Sequence, residues 1–179
     1  VGLAYDDLRV NCDVDARVVG DVERLPFQSG AFGCILSVDV VEHLDNPAAF
    51  FREAARCLRP GGTLIVCTPN LLGYKNLIAY LLPRPLLDLA WRKLRGRPSQ
   101  PYRTYYRSNT LRRIRRLGMA AGLTVEQANY LNEISHFFYP HWILCVLAYL
   151  YGRLLERLHL GILLNYMVCV LRKGQFVAL

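Results

Sequence analysis

Residues 32–70 read FGCILSVDVVEHLDNPAAFFREAARCLRPGGTLIVCTPN, and this stretch decides the fold. FGCILSVD is a continuous apolar run of strand length, broken only by Ser37 and Asp39 at its end. Such runs suit a parallel sheet covered on both faces. Asn46 then stands as a helix N-cap and Pro47 in the first turn. Ala49, Phe50, Ala54, Cys57 and Leu58 recur at helical spacing. Pro60-Gly61-Gly62 is expected to stop that helix, because glycine takes the left-handed conformation that helix ends use. TLIVCT at 63–68 is a second buried strand, ended by Pro69-Asn70. Strand, helix, strand with short connections is a βαβ unit, which predicts an α/β fold with a parallel sheet.

Outward from this unit, residues 1–3 read as the tail of a strand and 5–15 as an Asp-rich loop. Residues 16–22 form a short β-branched strand, and 26–30 a turn. Residues 74–94 look like a helix interrupted near Pro83 and Pro85, followed by a basic loop over 95–106. An amphipathic helix at 109–121 ends at Gly122, and a strand follows at 123–131. Residues 141–159 form a strongly apolar helix, and 163–172 a last strand.

The chain has 179 residues, 53% apolar and 20% charged, which suits one domain and excludes disordered and fibrous classes. Its net charge of +8 is uneven. Residues 1–88 carry 8 Lys/Arg against 11 Asp/Glu; residues 89–179 carry 14 against 3, which is +11. That asymmetry points the second half toward something anionic. The stretch 89–125 holds ten Lys/Arg and no acid, interleaved with Trp91, Tyr102, Tyr105 and Tyr106. A solvated helix face or contact with anionic ligand, lipid headgroup or phosphate both fit it. The six cysteines form no CxxC pair and sit mostly in apolar runs, which suits a reducing cytosol. The chain opens on Val1 in what reads as the end of a strand, so a fragment is expected.

Three segments fall at the expected carboxyl ends of strands, where an open α/β sheet binds ligands. Asp21, before Val22, can accept a hydrogen bond from an exocyclic amine or simply form a turn. Asp39, Glu42 and His43 stand at i, i+3 and i+4, a spacing with metal-like chemistry; Glu42 and His43 equally suit capping of the loop. Asn70 ends a strand beside the same crevice and can line a pocket or turn the chain.

The ordered set GDVERLPF, FGCILSVDVVEHLDNP and FFREAARCLRPGGTLIVCTPN resembles the class I S-adenosylmethionine-dependent methyltransferases. The likeness is greatest to the subgroup acting on small molecules, quinone precursors, lipids and sugars. It covers residues 1–70 and continues more weakly through TYYRSNTLRRIRRLGMAAGLTVEQANYL. The resemblance implies a Rossmann-like, mostly parallel sheet with helices on both faces, truncated at the N-terminus, with an antiparallel last strand. It implies one domain over 1–179: a cofactor-side core at 1–70, a basic helical segment at 71–122, and C-terminal strands with an apolar helical insertion at 123–179. The implied cofactor is S-adenosylmethionine. Asp21 and Val22 would hold the adenine; Ser37 and Val38 would lie beside the methionine part. His43 would sit on the substrate side, with Asn70 and Tyr106 at the substrate. No metal ligand is assigned. The family's glycine-rich loop is missing from these residues, and Ala4 stands where its ribose-binding acid belongs. The 179 residues alone are therefore expected to bind cofactor poorly.

The resemblance implies methyl transfer to a small or lipid-linked acceptor. A non-catalytic methyltransferase-like scaffold ranks second, and an RNA methyltransferase or nucleic-acid binder third, since no RNA-binding module is recognised. The apolar run at 141–152 is shorter than the roughly 20 residues a spanning helix needs. It suits a buried helix, a homodimer contact, or a helix lying at an anionic membrane surface. The expected location is cytoplasmic and peripheral to the membrane.

Overall fold

The computed structural model describes residues 2–3, 17–83, 85–86, 89, 104–133 and 142–175. The expected loop at 5–15, Ala4 and most of the basic loop at 95–106 lie outside the described residues.

β1 (Gly2–Leu3) and β2 (Arg17–Val18) pair in a separate two-stranded parallel ladder. β3 (Phe32–Val38) leads through a 3-10 turn at Val41–His43 into α1 (Pro47–Cys57). Asn46 caps α1 as expected, its side chain accepting from the Ala49 N–H at 3.4 Å. α1 then ends at Cys57, and β4 (Leu58–Pro69) starts at the next residue. Pro60-Gly61-Gly62 is thus not the helix stop. It lies inside β4, at a register irregularity opposite Phe32–Cys34, where Gly61 takes φ 73°. Strand pairing claims Leu58 before the glycines are reached.

α2 (Tyr74–Leu81) follows, ending before Pro83, which offers no N–H to continue it. Then come α3 (Leu111–Ala120), β5 (Leu123–Leu131), α4 (Trp142–Arg157), a 3-10 turn at Gly161–Leu163 and β6 (Tyr166–Lys173). Thr110 caps α3 by accepting from the Arg113 N–H.

The four-stranded sheet has the order β3-β4-β6-β5. β3 and β4 are parallel; β4–β6 and β6–β5 are antiparallel. The sheet is therefore mostly antiparallel, which corrects the mostly parallel expectation. The last strand is antiparallel as expected. The cause is position: β6 alone runs backwards, but it inserts between β4 and β5. One reversed strand in the interior turns two of the three ladders antiparallel. The overall architecture is a mixed α/β, Rossmann-like fold.

α1 and α3 pack on one face of the sheet, over Leu64, Val66, Cys169 and Leu171. Phe51, Ala54 and Ile114 of these helices are fully buried there. The other described helices do not sandwich the sheet. α2 follows the carboxyl end of β4, and Asn132, just past β5, donates to the Ala148 carbonyl of α4. Leu36 and Val38, on the face away from α1, stay 63% and 49% exposed.

Gly73 starts α2 against the chain that leads into β6. A Cβ there would meet the Asn165 Cα at 2.6 Å and the Leu164 carbonyl oxygen at 3.0 Å. Backbone cannot step aside as a side-chain tip can. Gly73→Ala is expected to lower stability by about 1–3 kcal/mol, read by thermal unfolding.

Candidate functional site at the carboxyl ends of β3 and β4

The segments before β3 dock along α1. Arg56 donates to the Leu25 and Phe27 carbonyls at 3.0 and 2.7 Å. Glu23 accepts from the Asn46 N–H at 3.2 Å. This holds Asp21 and Val22 beside the β3–α1 connection. Asp21 is exposed, and its Oδ1 accepts from the Glu23 N–H at 2.8 Å. The turn-forming reading of Asp21 is thus realised, and the carboxylate keeps further acceptor positions. Val22 is half-buried and packs against the core.

β3 delivers Ser37 and Val38 to the same end. Ser37 is buried, and its Oγ has no hydrogen-bond partner among the described residues. Such an atom is uncommon, because an unpaired buried hydroxyl costs free energy. Asp39 takes φ 52°, a left-handed conformation that non-glycine residues adopt at a cost of about 1–3 kcal/mol. Its backbone N–H still reaches the Cys67 carbonyl at 3.0 Å, and its Oδ1 accepts from the Tyr166 hydroxyl at 2.8 Å. Burial, and then that hydrogen bond, push the Tyr166 phenol upward.

Glu42 turns inward rather than toward solvent. Its carboxylate accepts from the Thr68 hydroxyl at 3.0 Å. Thr68 Oγ1 in turn accepts from Asn109 Nδ2 at 2.7 Å, and Asn109 also donates to the Pro69 carbonyl at 2.9 Å. Burial pushes the Glu42 carboxyl up to about 7, and the Asp39 charge adds to the rise. The half-buried His43 counts among the groups pulling it back down.

Residues 104–110 close over this network. The Tyr105 N–H reaches the Glu42 carbonyl at 2.8 Å, and Ser108 Oγ reaches the Val41 carbonyl at 3.0 Å. Arg107 pairs with the Asp45 carboxylate at 2.8 Å. Tyr106 has φ 53° and sets its ring edge-on to Tyr80, centroids 6.0 Å apart. Burial and the Glu42 charge push its phenol upward.

Asp21, Val22, His43 and Tyr106 thus stand beside the β3–α1 connection, and Ser37 and Val38 lead into it on opposite faces of β3, one buried and one exposed. Asn70 is placed differently. It is 1% exposed, and its amide donates to the Ile162 and Leu164 carbonyls at 2.7 and 2.8 Å. Asp39, Glu42 and His43 do not converge: among the described residues no group of three His, Cys, Asp or Glu could hold a metal ion. Thr68, Ser108, Asn109 and Tyr166 were missed in the sequence. The one signal was polarity at the margins of apolar strands and in SNT at 108–110, which reads as an ordinary helix start.

A methyltransferase-domain family model matches residues 6–66. Over 76 residues the chain is 37% identical to a probable S-adenosylmethionine-dependent methyltransferase of Mycolicibacterium smegmatis, covering 39% of this chain and 29% of that protein. Over 75 residues it is 40% identical to a demethylmenaquinone methyltransferase of Mycobacterium bovis, covering 38% and 32%. The matched part spans about a third of the length of these curated relatives. A crystal structure of an S-adenosylmethionine-dependent methyltransferase from Mesorhizobium loti shares the fold, with a TM-score of 0.55 at 14% identity over 96% of this chain and 79% of that one. Residues 6–66 thus match the methyltransferase domain, and the chain shares the fold of a solved S-adenosylmethionine-dependent methyltransferase.

Proposed function

We propose that the protein transfers a methyl group from S-adenosylmethionine to a small-molecule acceptor. The observation that carries this reading is the unpartnered, buried Ser37 Oγ at the end of β3, leading into the connection beside which Asp21 and Val22 are held. These residues fit the cofactor's chemistry. Asp21 retains acceptor positions for an exocyclic amine, Ser37 offers one hydrogen bond, and the exposed Val38 offers an apolar contact. When bound, S-adenosylmethionine supplies a methyl carbon already activated by its sulfonium.

This chain's share is then alignment and exclusion of water rather than strong acid–base work. The Asp45–Arg107 pair and the bonds from residues 105–108 hold Tyr106 over the connection. His43, beside Glu42, is the group we assign to the substrate side, where it can receive the proton an acceptor hydroxyl or amine gives up. A small, apolar or lipid-linked acceptor is supported by the demethylmenaquinone methyltransferase match and by the exposed apolar side chains of α2 near Tyr106.

The test is calorimetric titration of the protein, as the cell makes it, with S-adenosylhomocysteine. Asp21→Ala is expected to weaken binding about tenfold or more, the scale of a lost hydrogen bond to a charged group. Ser37→Val should weaken it further. Unchanged affinity in the double variant would sink the assignment of this site.

A further inference from the structure

We infer that α2 and α4 together form a surface that docks on an anionic lipid bilayer. α4 is apolar on two opposite sides. Its inner stripe, Ala148, Gly152 and Leu155, is buried. Its outer stripe, Ile143, Val146, Leu147, Leu150 and Leu154, is 45–56% exposed. A helix facing water carries polar and charged residues on its outer side, and over residues 142–152 this one carries no charge. Trp142 at its start is 73% exposed, and Arg153 and Arg157 stand near its end. Aromatic and arginine residues flanking an apolar stripe are what the membrane–water boundary selects.

α2 extends the same surface. Ile78 and Leu81 are 53% and 68% exposed. Tyr74 of α2 and Tyr151 of α4 meet edge to face, centroids 5.0 Å apart. Exposed apolar side chains on two helices that touch are the kind of patch that marks an interaction site. No helix among the described residues is long and apolar enough to cross a membrane, so the fitting geometry lies in the boundary plane.

Charge selects the occupant. At the end of α4, Arg153 pairs with Glu156 at 3.0 Å and Arg157 adds a positive charge, within a half of the chain (89–179) that carries 14 Lys/Arg against 3 Asp/Glu. A second copy would bring two such halves face to face, whereas anionic headgroups complement them. The surface also adjoins the site: Tyr80 touches Tyr106, and Asn70 holds the Ile162 and Leu164 carbonyls just beyond α4. This docking does not depend on the methyl-transfer reading.

The test is co-sedimentation of the full protein with phosphatidylcholine vesicles, with and without phosphatidylglycerol, at low salt. The protein is expected to sediment with the anionic vesicles and to be released by salt. Leu147→Glu with Leu150→Glu, checked for retained fold by circular dichroism, should cut partitioning about tenfold or more. Should that pair fail to fold, Leu147→Ser with Leu150→Ser reads the same loss at smaller amplitude. Three results would overturn the inference: no binding at low salt, equal binding to phosphatidylcholine alone, or unchanged binding by the folded variants. A dimer dissolved by the same substitutions would instead assign the face to a second copy.

Discussion

Asn70→Ala is expected to destabilise the protein by about 3 kcal/mol, because it strands one buried and one part-buried carbonyl at roughly 1–3 kcal/mol each. The wild-type amide donates to the Ile162 and Leu164 carbonyls, and its Oδ1 accepts from the Leu72 N–H at 3.3 Å. These bonds tie the end of β4 to the turn that feeds β6. Around them, the Asn70 N–H reaches the Asn165 carbonyl, and Asn76 donates to the carbonyls of both Asn70 and Asn165. Asn70→Asp should be worse than Asn70→Ala. It keeps the acceptor, loses both donors and sets a buried carboxylate against two carbonyl oxygens. Urea unfolding reads the order. A variant that keeps wild-type stability but loses acceptor affinity would return Asn70 to a substrate-contacting role.

The difference between what was legible and what was not follows the range of the interactions. The βαβ unit over 32–69 could be read because its signals are local: two apolar runs, Asn46 as cap, Pro47 in the first turn. β5 falls at Leu123–Leu131, where Gly122 and an apolar–polar alternation mark it. The placement of β6 has no such signal. Its residues show a strand, but nothing local says that it enters between β4 and β5 and so reverses two ladders. Pro60-Gly61-Gly62 failed for a related reason: the rule for helix ends is local, and pairing of Leu58 with Phe32 overrides it. In the site, the spacing of Asp39, Glu42 and His43 left both metal-like convergence and capping of the loop open. The left-handed backbone at Asp39 sends its carboxylate to Tyr166, 127 residues on, while Glu42 goes inward to Thr68. Asn70 finds its partners 92 and 94 residues later. No window of sequence contains such pairs.

Glu42→Gln is expected to make the protein more stable than wild type at pH 8 and little different near pH 4. Glu42 is 3% exposed, and burial lifts its carboxyl from 4.5 to about 7 in the fold. A raised folded value means that the native state holds the proton more tightly than the unfolded chain does. The associated stability is fully present below pH 4.5 and is lost as pH rises through about 7. The swing is on the order of 3 kcal/mol, since each tenfold change in proton affinity is worth about 1.4 kcal/mol. Groups that act on this carboxyl set the shape of the curve. Asp39 opposes its ionisation, His43 favours it, and the Thr68 hydroxyl hydrogen-bonds the charged form. Gln keeps an acceptor for Thr68 but carries no charge, so its stability should stay flat over the window in which wild type weakens. Urea unfolding at pH 5 and pH 8 measures the difference. Parallel curves for wild type and Glu42→Gln would show that water relieves the buried charge. A falling wild-type curve with a flat variant would show that the polar network beneath Tyr106 is held together by a carboxyl that prefers to stay neutral.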